Sequence, residues 1–313
     1  MSGQSLIGEI FEPTKRGLAI GIFLAGTVLG PCIGPVIGGV IVTYRPWRVI
    51  FYLQAALVFA ALVVAFFVIP TLRPRLRPTS TSHFLSVWDP RPLLRLFRFP
   101  NLCLIYLACG TQTFAQYTMI TPVRYVMNPR FNLTSPLQSG LFFLAPGFGF
   151  VLGSCVGGKW ADIVVKRYIK KRNGERIPED RLKAGMFATL IGSPLGMLLY
   201  SWSIQNEVGG MPLPIIGMFI SGLAQMAGMS AMNTYCTEIK PGHSVAILAG
   251  KYLVQNCLSA AASAVILPFI NAIGVGWAGT VATGIILVGA AAVITTAYLG
   301  QRMRNAVEGK AEK

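Results

Sequence analysis

The side chains that break and make bonds are sparse in this sequence, and they do not converge. His83 and His243 lie far apart, each in a polar stretch, and the six cysteines (Cys32, Cys103, Cys109, Cys155, Cys236 and Cys257) contain no CxxC pair. Most of these cysteines sit inside apolar runs, so they read as small buried hydrophobes, not as a disulfide framework or a metal centre. Catalysis needs nucleophiles, acids or metal ligands gathered in one pocket, and the pattern offers none. The expectation is a protein that is not an enzyme and holds no metal and no cofactor. What remains is recognition chemistry. Neutral amides and rings interrupt otherwise apolar stretches at Gln112, Gln116, Tyr117, Gln138, Phe142, Gln225, Asn233, Tyr252, Gln255 and Asn256. One cation, Lys251, stands about a turn inside such a stretch. One acid, Asp162, stands just before the basic pair Lys166 and Arg167.

The elements that position these residues follow from composition. Of 313 residues, 53% are hydrophobic and only 12% charged, and the mean hydropathy is +0.59. A soluble domain carries about 25% charged residues, so there are too few charges to coat a soluble globule. The excess also rules out disorder. A membrane span needs about 20 mostly apolar residues. Eight runs qualify: Gly17–Thr43, Trp47–Ile69, Asn101–Tyr125, Leu137–Gly158, Ala184–Ile204, Ile215–Tyr235, Ala246–Ile270 and Ala278–Leu299. Helices satisfy their own backbone in lipid, and the short alternating segments of a barrel are absent. The fold class is therefore an all-α polytopic membrane helix bundle. All eleven acidic residues fall outside these eight runs, so no intramembrane carboxylate is on offer as a proton carrier.

Charge placement sets the orientation. With both termini cytoplasmic, every Lys and Arg except Arg45, Arg48, Arg124 and Arg130 falls on the inner side. The net charge of +16 then belongs to loops facing an anionic leaflet and needs no nucleic acid. Pro74, Pro78 and Ser80–Ser82 mark a hinge inside 71–100, the longest polar break, which reads as a cytoplasmic linker. Met1–Arg16 reads as a connecting loop.

The most specific pattern is AGTVLGPCIGPVIGG. Gly26, Gly30, Gly34 and Gly38 recur every fourth residue and draw one slowly drifting stripe on a helix. Pro31 and Pro35 remove amide donors and bend it. A second stripe, Gly149, Gly153 and Gly157, follows Pro146, and backbone-bare stripes let helices approach closely. The expectation is that the two stripes pack against each other across the domain boundary. Gln112 and Gln116 share a helix face, as do Tyr252 and Asn256. Amides are costly against lipid, so these faces turn inward, either lining a cavity or hydrogen-bonding between helices. Lys251 has two readings: snorkelling to the interface, or a gate charge paired with Asp162.

At these residues the sequence resembles the major facilitator superfamily. Gly26, Gly30, Pro31, Gly34, Pro35, Gly38 and Gly39 are similar to the fifth-helix motif of its drug:proton antiporters. IGEIFEPTKRGLAIGIF, with Pro13, Arg16 and Gly17, resembles the loop leading into that helix, and PWRVIFYLQ the start of the sixth. GGKWADIVVKR, with Asp162, Lys166 and Arg167, resembles the gating-loop motif between helices eight and nine. NLTSPLQSGLFFLAPG, RIPEDRL and NTYC are similar to the fungal quinidine- and dityrosine-exporter branch. That family has twelve spans in two six-helix halves, and this chain matches helices five to twelve. The resemblance implies that 1–70 is the end of the first half, 101–300 the complete second half and 301–313 a cytoplasmic tail, with the chain shortened at its N-terminus. It also implies helices seven, eight, ten and eleven around a substrate cavity. The function it implies is alternating-access secondary transport at the plasma membrane, with proton-coupled export of small organic or drug-like molecules. The alternative is a non-transporting shortened form that pairs with a full-length relative. Epitope tags at Met1 and Lys313 should both be reached from the cytoplasmic side of intact cells; tags reached from opposite sides would dismantle this layout.

Overall fold

The computed structural model describes residues 2–12, 14–68, 96–240 and 243–311, and every regular element among them is a helix. In chain order these are α1 (Ser2–Ile10), α2 (Arg16–Tyr44), α3 (Arg48–Val68), α4 (Pro100–Ile120), α5 (Val123–Arg130), α6 (Pro136–Leu141), α7 (Leu144–Lys171), α8 (Asp180–Phe187), α9 (Ser193–Gln205), α10 (Pro212–Glu238), α11 (Ser244–Ile273) and α12 (Val275–Ala311). A π-helical turn, Ala188–Gly192, joins α8 to α9. Most of the expected linker 71–100 lies outside the described residues.

Seven of the resulting rods are long and apolar enough to cross a bilayer. The eighth expected span is α4, whose 21 residues reach about 30 Å. Its apolarity is diluted because its polar groups face protein. Asn101, Thr111, Gln112, Thr113 and Thr118 are all buried, and α4 packs between α11 and α12. The threonines return their hydroxyls to their own helix: Thr111 to the Ala108 carbonyl at 2.9 Å, and Thr113 to that of Cys109 at 3.0 Å. Two other boundaries move. The start of the chain, expected as a connecting loop, folds into α1. The fourth span continues past Gly158 to Lys171, which places Asp162 on a helix.

The core is built around α10, which packs on α7 and α9. Its interior side carries Met218, Met226, Met229, Met232 and Tyr235, all buried. Small residues let these rods close. At Gly149, Gly153 and Gly157 an added methyl would collide with the α10 backbone at Phe219, Leu223 and Ala227. The expected partner was the other stripe, and that pairing does not occur. Around Gly26, Gly30 and Gly34 an added Cβ would find nothing within 4 Å, and at Gly38 only Ile50, at 4.0 Å. Instead α2 meets α7 and α6 through a different side, at Gly17, Gly21, Cys32 and Gly39. From Gly21 to Gly26 is five residues, which turns the helix by roughly 140° beyond a full circle. Spacing identifies a stripe, but only packing tells which stripe is used. On the α7 side, Gly147 meets Cys32 and Gly158 meets the Gly17 carbonyl, while Gly140 of α6 sits under the Pro35 carbonyl, where a methyl would lie 2.6 Å away.

Two substitutions separate the stripes. Gly153→Ala drives a methyl into the Leu223 backbone and should lower the melting temperature of the detergent-purified protein, for a loss on the order of 1–3 kcal/mol. Gly30→Ala meets open space and removes a helix-weakening glycine, so it should be neutral or stabilising by up to about 1 kcal/mol. Equal losses would contradict the assignment of faces.

Candidate functional site

The most strongly built polar site sits where the start of α2 meets α7, α8 and α10. The first turn of a helix leaves its amide donors unpaired and carries a partial positive charge. Asp162 of α7 fills that position for α2: its Oδ1 accepts from the Gly17 amide at 2.9 Å and its Oδ2 from the Leu18 amide at 2.9 Å. Only glycine fits at residue 17, because a Cβ there would lie 2.6 Å from Asp162 Oδ1. Arg181 of α8, fully buried, donates from Nη1 to the same Asp162 oxygen at 2.9 Å and from Nε to Glu238 Oε1 at 2.8 Å. Glu238, at the end of α10, also meets Arg16 at 3.5 Å and Arg176 at 2.5 Å. Five charged groups from α2, the α7–α8 loop, α7, α8 and α10 therefore form one closed lock.

A second layer lies just beyond it. Arg172 grips Asp180 with two hydrogen bonds of 2.6 and 2.9 Å, and this bonding pushes the Arg172 pKa upward against the effect of its burial. Lys183 reaches Asp180 at 3.0 Å and lies over the Tyr168 ring at 4.2 Å. Arg304 of α12 reaches Glu179 at 3.1 Å. This end of the bundle also carries α1, whose Gly8 rests on Thr237.

The expected gate assignment needs correction. Lys251 does not pair with Asp162, whose carboxylate is already engaged by two amides and Arg181. Lys251 is fully buried on α11. It donates to Asn233 Oδ1 at 2.5 Å, and its ammonium lies 3.6 Å from the centre of the Tyr252 ring. Asn233 is five residues before Glu238, or roughly 7.5 Å along α10, so lysine and lock occupy different depths. Lys166 and Arg167 are exposed on α7, with Arg167 stacked over Trp160 at 5.6 Å; neither joins the lock.

The neutral candidates divide into three places. Gln112, Gln225 and Asn233 are buried among α4, α9, α10 and α11. Gln225 donates to Ser221 at 3.0 Å and Asn233 to the Met229 carbonyl at 2.9 Å. Among the described residues, neither amide atom of Gln112, both buried, has a hydrogen-bond partner. Gln116 and Gln255 are half-buried, while Tyr117 and Asn256 are exposed. Tyr252 turns its hydroxyl to Gln4 Oε1 at 3.3 Å. Gln138 and Phe142 sit at the opposite end of the bundle. There Gln138 closes a capping box on Ser135, and Phe142 stacks on Phe131 at 6.1 Å. Both line an apolar hollow of about 440 Å³ with Leu133, Phe148, Met211 and Ile215. A neighbouring hollow, also about 440 Å³, is lined by Pro35, Gly38 and Gly39 with Arg124, Asn128 and Ser139. Among the described residues no three His, Cys, Asp or Glu side chains are placed to hold a metal ion.

A sequence profile described as Major Facilitator Superfamily matches residues 1–264. The chain belongs to this superfamily. It is 28% identical to quinidine resistance protein 3 of Saccharomyces cerevisiae over 226 residues, which is 69% of this chain and 32% of that protein. It is 29% identical to the MFS antiporter QDR3 of Candida albicans, over 68% of this chain and 30% of the relative. The MFS-type transporter oryF of Aspergillus oryzae is 25% identical over 88% of this chain and 61% of its own length. The chain thus spans a little under a third of the length of the first two relatives and about three fifths of the third. Superfamily membership and the apolar helices make it an integral, multi-pass protein of the lipid bilayer.

Asp162 was visible in the sequence through its loop motif, whereas Arg181, Glu238 and Arg176 were not singled out. Glu238 carries a faint signal, as the only acid at the end of an otherwise neutral 27-residue helix. Removing one member of a buried pair costs about 3–5 kcal/mol, and groups in one network do not add independently. Arg181→Met should therefore destabilise the folded protein by about that amount. Asp162→Asn in the same chain should add much less than it does alone. Unfolding by denaturant in mixed micelles measures the cycle; additive losses would show that the two residues are not coupled.

Proposed function

We propose that this chain belongs to the moving body of a secondary transporter that works by alternating access and exports small organic, drug-like molecules in exchange for protons. The observation that carries the reading is the buried lock at Asp162, Arg181 and Glu238. It fastens the first turn of α2 to α7, α8 and α10 with charge-assisted bonds, which are strong when made and can be broken as a set. In this reading 1–70 moves with one half of the carrier and 101–300 with the other; 71–100 links them and 301–313 is a tail. The charged end faces the cytoplasm of a plasma-membrane protein, with both termini there, because basic residues crowd that end. The polar layer of Gln112, Gln225, Asn233 and Tyr252, with Gln116, Gln255 and Asn256 nearby, contacts substrate when the bundle opens. Gln138 and Phe142 border the route at the far end. Pro31, Pro35 and the glycines of α2 let that helix rock. The relatives' names, one speaking of quinidine resistance and one of antiport, support export by exchange.

The test is reconstitution of the protein in vesicles with an imposed pH gradient and labelled organic probes, one acidic, one neutral and one basic. At least one should move against its gradient. Asp162→Asn should slow it at least tenfold per folded molecule, with rates normalised to the folded fraction because the same change also weakens the lock. If no probe moves, the transport reading is lost; wild-type rates in Asp162→Asn would discard the lock as gate.

A further inference from the structure

Lys251 is a charge that the lock does not explain. It is wholly buried in a membrane-crossing helix, and among the described residues its ammonium has one acceptor, the neutral oxygen of Asn233, together with the Tyr252 ring. From the neighbouring helices, the thiols of Cys109 on α4 and Cys236 on α10 lie close to it, both buried. The nearest carboxylates of α7 and α10, Asp162 and Glu238, are taken up by Arg181, Arg16 and Arg176. Snorkelling does not describe it, since a snorkelling lysine delivers its charge to the interface and this one is sealed inside. One turn beyond Cys109, on the same face of α4, the amide of Gln112 is buried with neither of its polar atoms paired among the described residues. Buried polar atoms without partners are rare in native proteins, and each calls for an explanation such as a bound water, an ion or a functional role.

We infer that Lys251, with Asn233 and Gln112, is an anion-accepting recognition site, and that the substrate is an organic acid whose carboxylate pairs with the ammonium. The inference rests on the reading of the chain as a carrier of organic molecules and adds the charge class. An ammonium has three N–H donors, and the described residues give this one a single hydrogen-bond acceptor, so donor capacity remains for a carboxylate once the Tyr252 ring moves aside; charge-assisted bonds of this kind are the strong ones. Gln112 then holds a polar group further along the molecule, and the methionines of α10 supply the apolar wall. The same fixed positive charge repels an organic cation, so selectivity comes from rejection as well as attraction. The site is closed in this structure and opens when α4 and α11 part from α10.

The experiment uses the full chain in lipid nanodiscs and three probes of one shape: 1-naphthoate, its neutral amide, and the 1-naphthylmethylammonium cation. Binding is followed by fluorescence and by calorimetry. Wild type should bind naphthoate about tenfold tighter than the amide, and the cation weakest. Lys251→Met should abolish that tenfold preference by weakening naphthoate far more than the amide; Lys251→Arg should keep part of it. Should Lys251→Met fail to fold, Asn233→Asp serves instead, because it supplies an internal counter-charge at nearly unchanged size and should likewise erase the preference. A wild type that prefers the cation, or a preference for naphthoate that survives both Lys251→Met and Asn233→Asp, overturns the inference and leaves the carrier reading standing. Failure of the protein to bind any of the three overturns both.

Discussion

Asp162 meets three donors at once: two backbone amides from the first turn of α2 and a guanidinium from α8. This contact constrains the rest of the charged end. A carboxylate at a helix start is favoured by the exposed amides and the helix dipole, but burying it demands a full set of partners. Arg181 supplies the missing charge and in doing so becomes buried itself, which calls for a second acid. Glu238 answers that demand and leaves a surplus of negative charge that Arg16 and Arg176 offset. Each member is tolerable only because the next is present. Such a set is held cooperatively and gives way together, which is the behaviour expected of a latch and not of a hinge.

The latch needs rods that touch at backbone distance. α7 meets this need on two sides. One side presents Gly149, Gly153 and Gly157 to α10; the other presents Gly147 and Gly158 to α2. A helix bared on both sides has no bulk of its own to hold the bundle open, so its neighbours close on it and bring Asp162 within reach of the α2 amides. Packing and electrostatics are therefore not separate contributions here. A larger side chain at Gly158 or Gly17 would push apart the donor and acceptor that the charges are meant to join.

Helix class and span positions were legible in the sequence because lipid imposes a length and a polarity that few other environments demand. α4 shows the limit of that rule. Its glutamines and threonines lower its hydropathy, yet it lies inside the bundle, where its polar groups find protein. The fourth-residue glycine spacing was equally legible, and it pointed to the wrong face of α2. A stripe is a property of one helix, whereas contact is a property of two, and the position of α7 around α2 is not written in either segment alone. The same reasoning covers the lock. Asp162 stood out through local context, but its partners lie 19 and 57 residues away along the chain, at Arg181 from Asp162 and at Glu238 from Arg181. Their types are ordinary for residues at the ends of helices. Lys251 was noticed for being a cation in an apolar run, but its nearest oxygen proved to be an amide on α10 and not the acid that charge arithmetic suggested.

Tyr252 performs two tasks with one side chain. Its ring covers the Lys251 ammonium, and its hydroxyl holds Gln4 of α1. Turning α11 far enough to uncover the ammonium carries the hydroxyl away from the glutamine, so α1 must follow or let go. The peripheral helix and the interior charge are geared together by a single tooth. A fluorophore carried on the outward side of α1, at Leu6 or Ile10, would in that case register a rearrangement occurring deep within the bilayer without itself touching the interior.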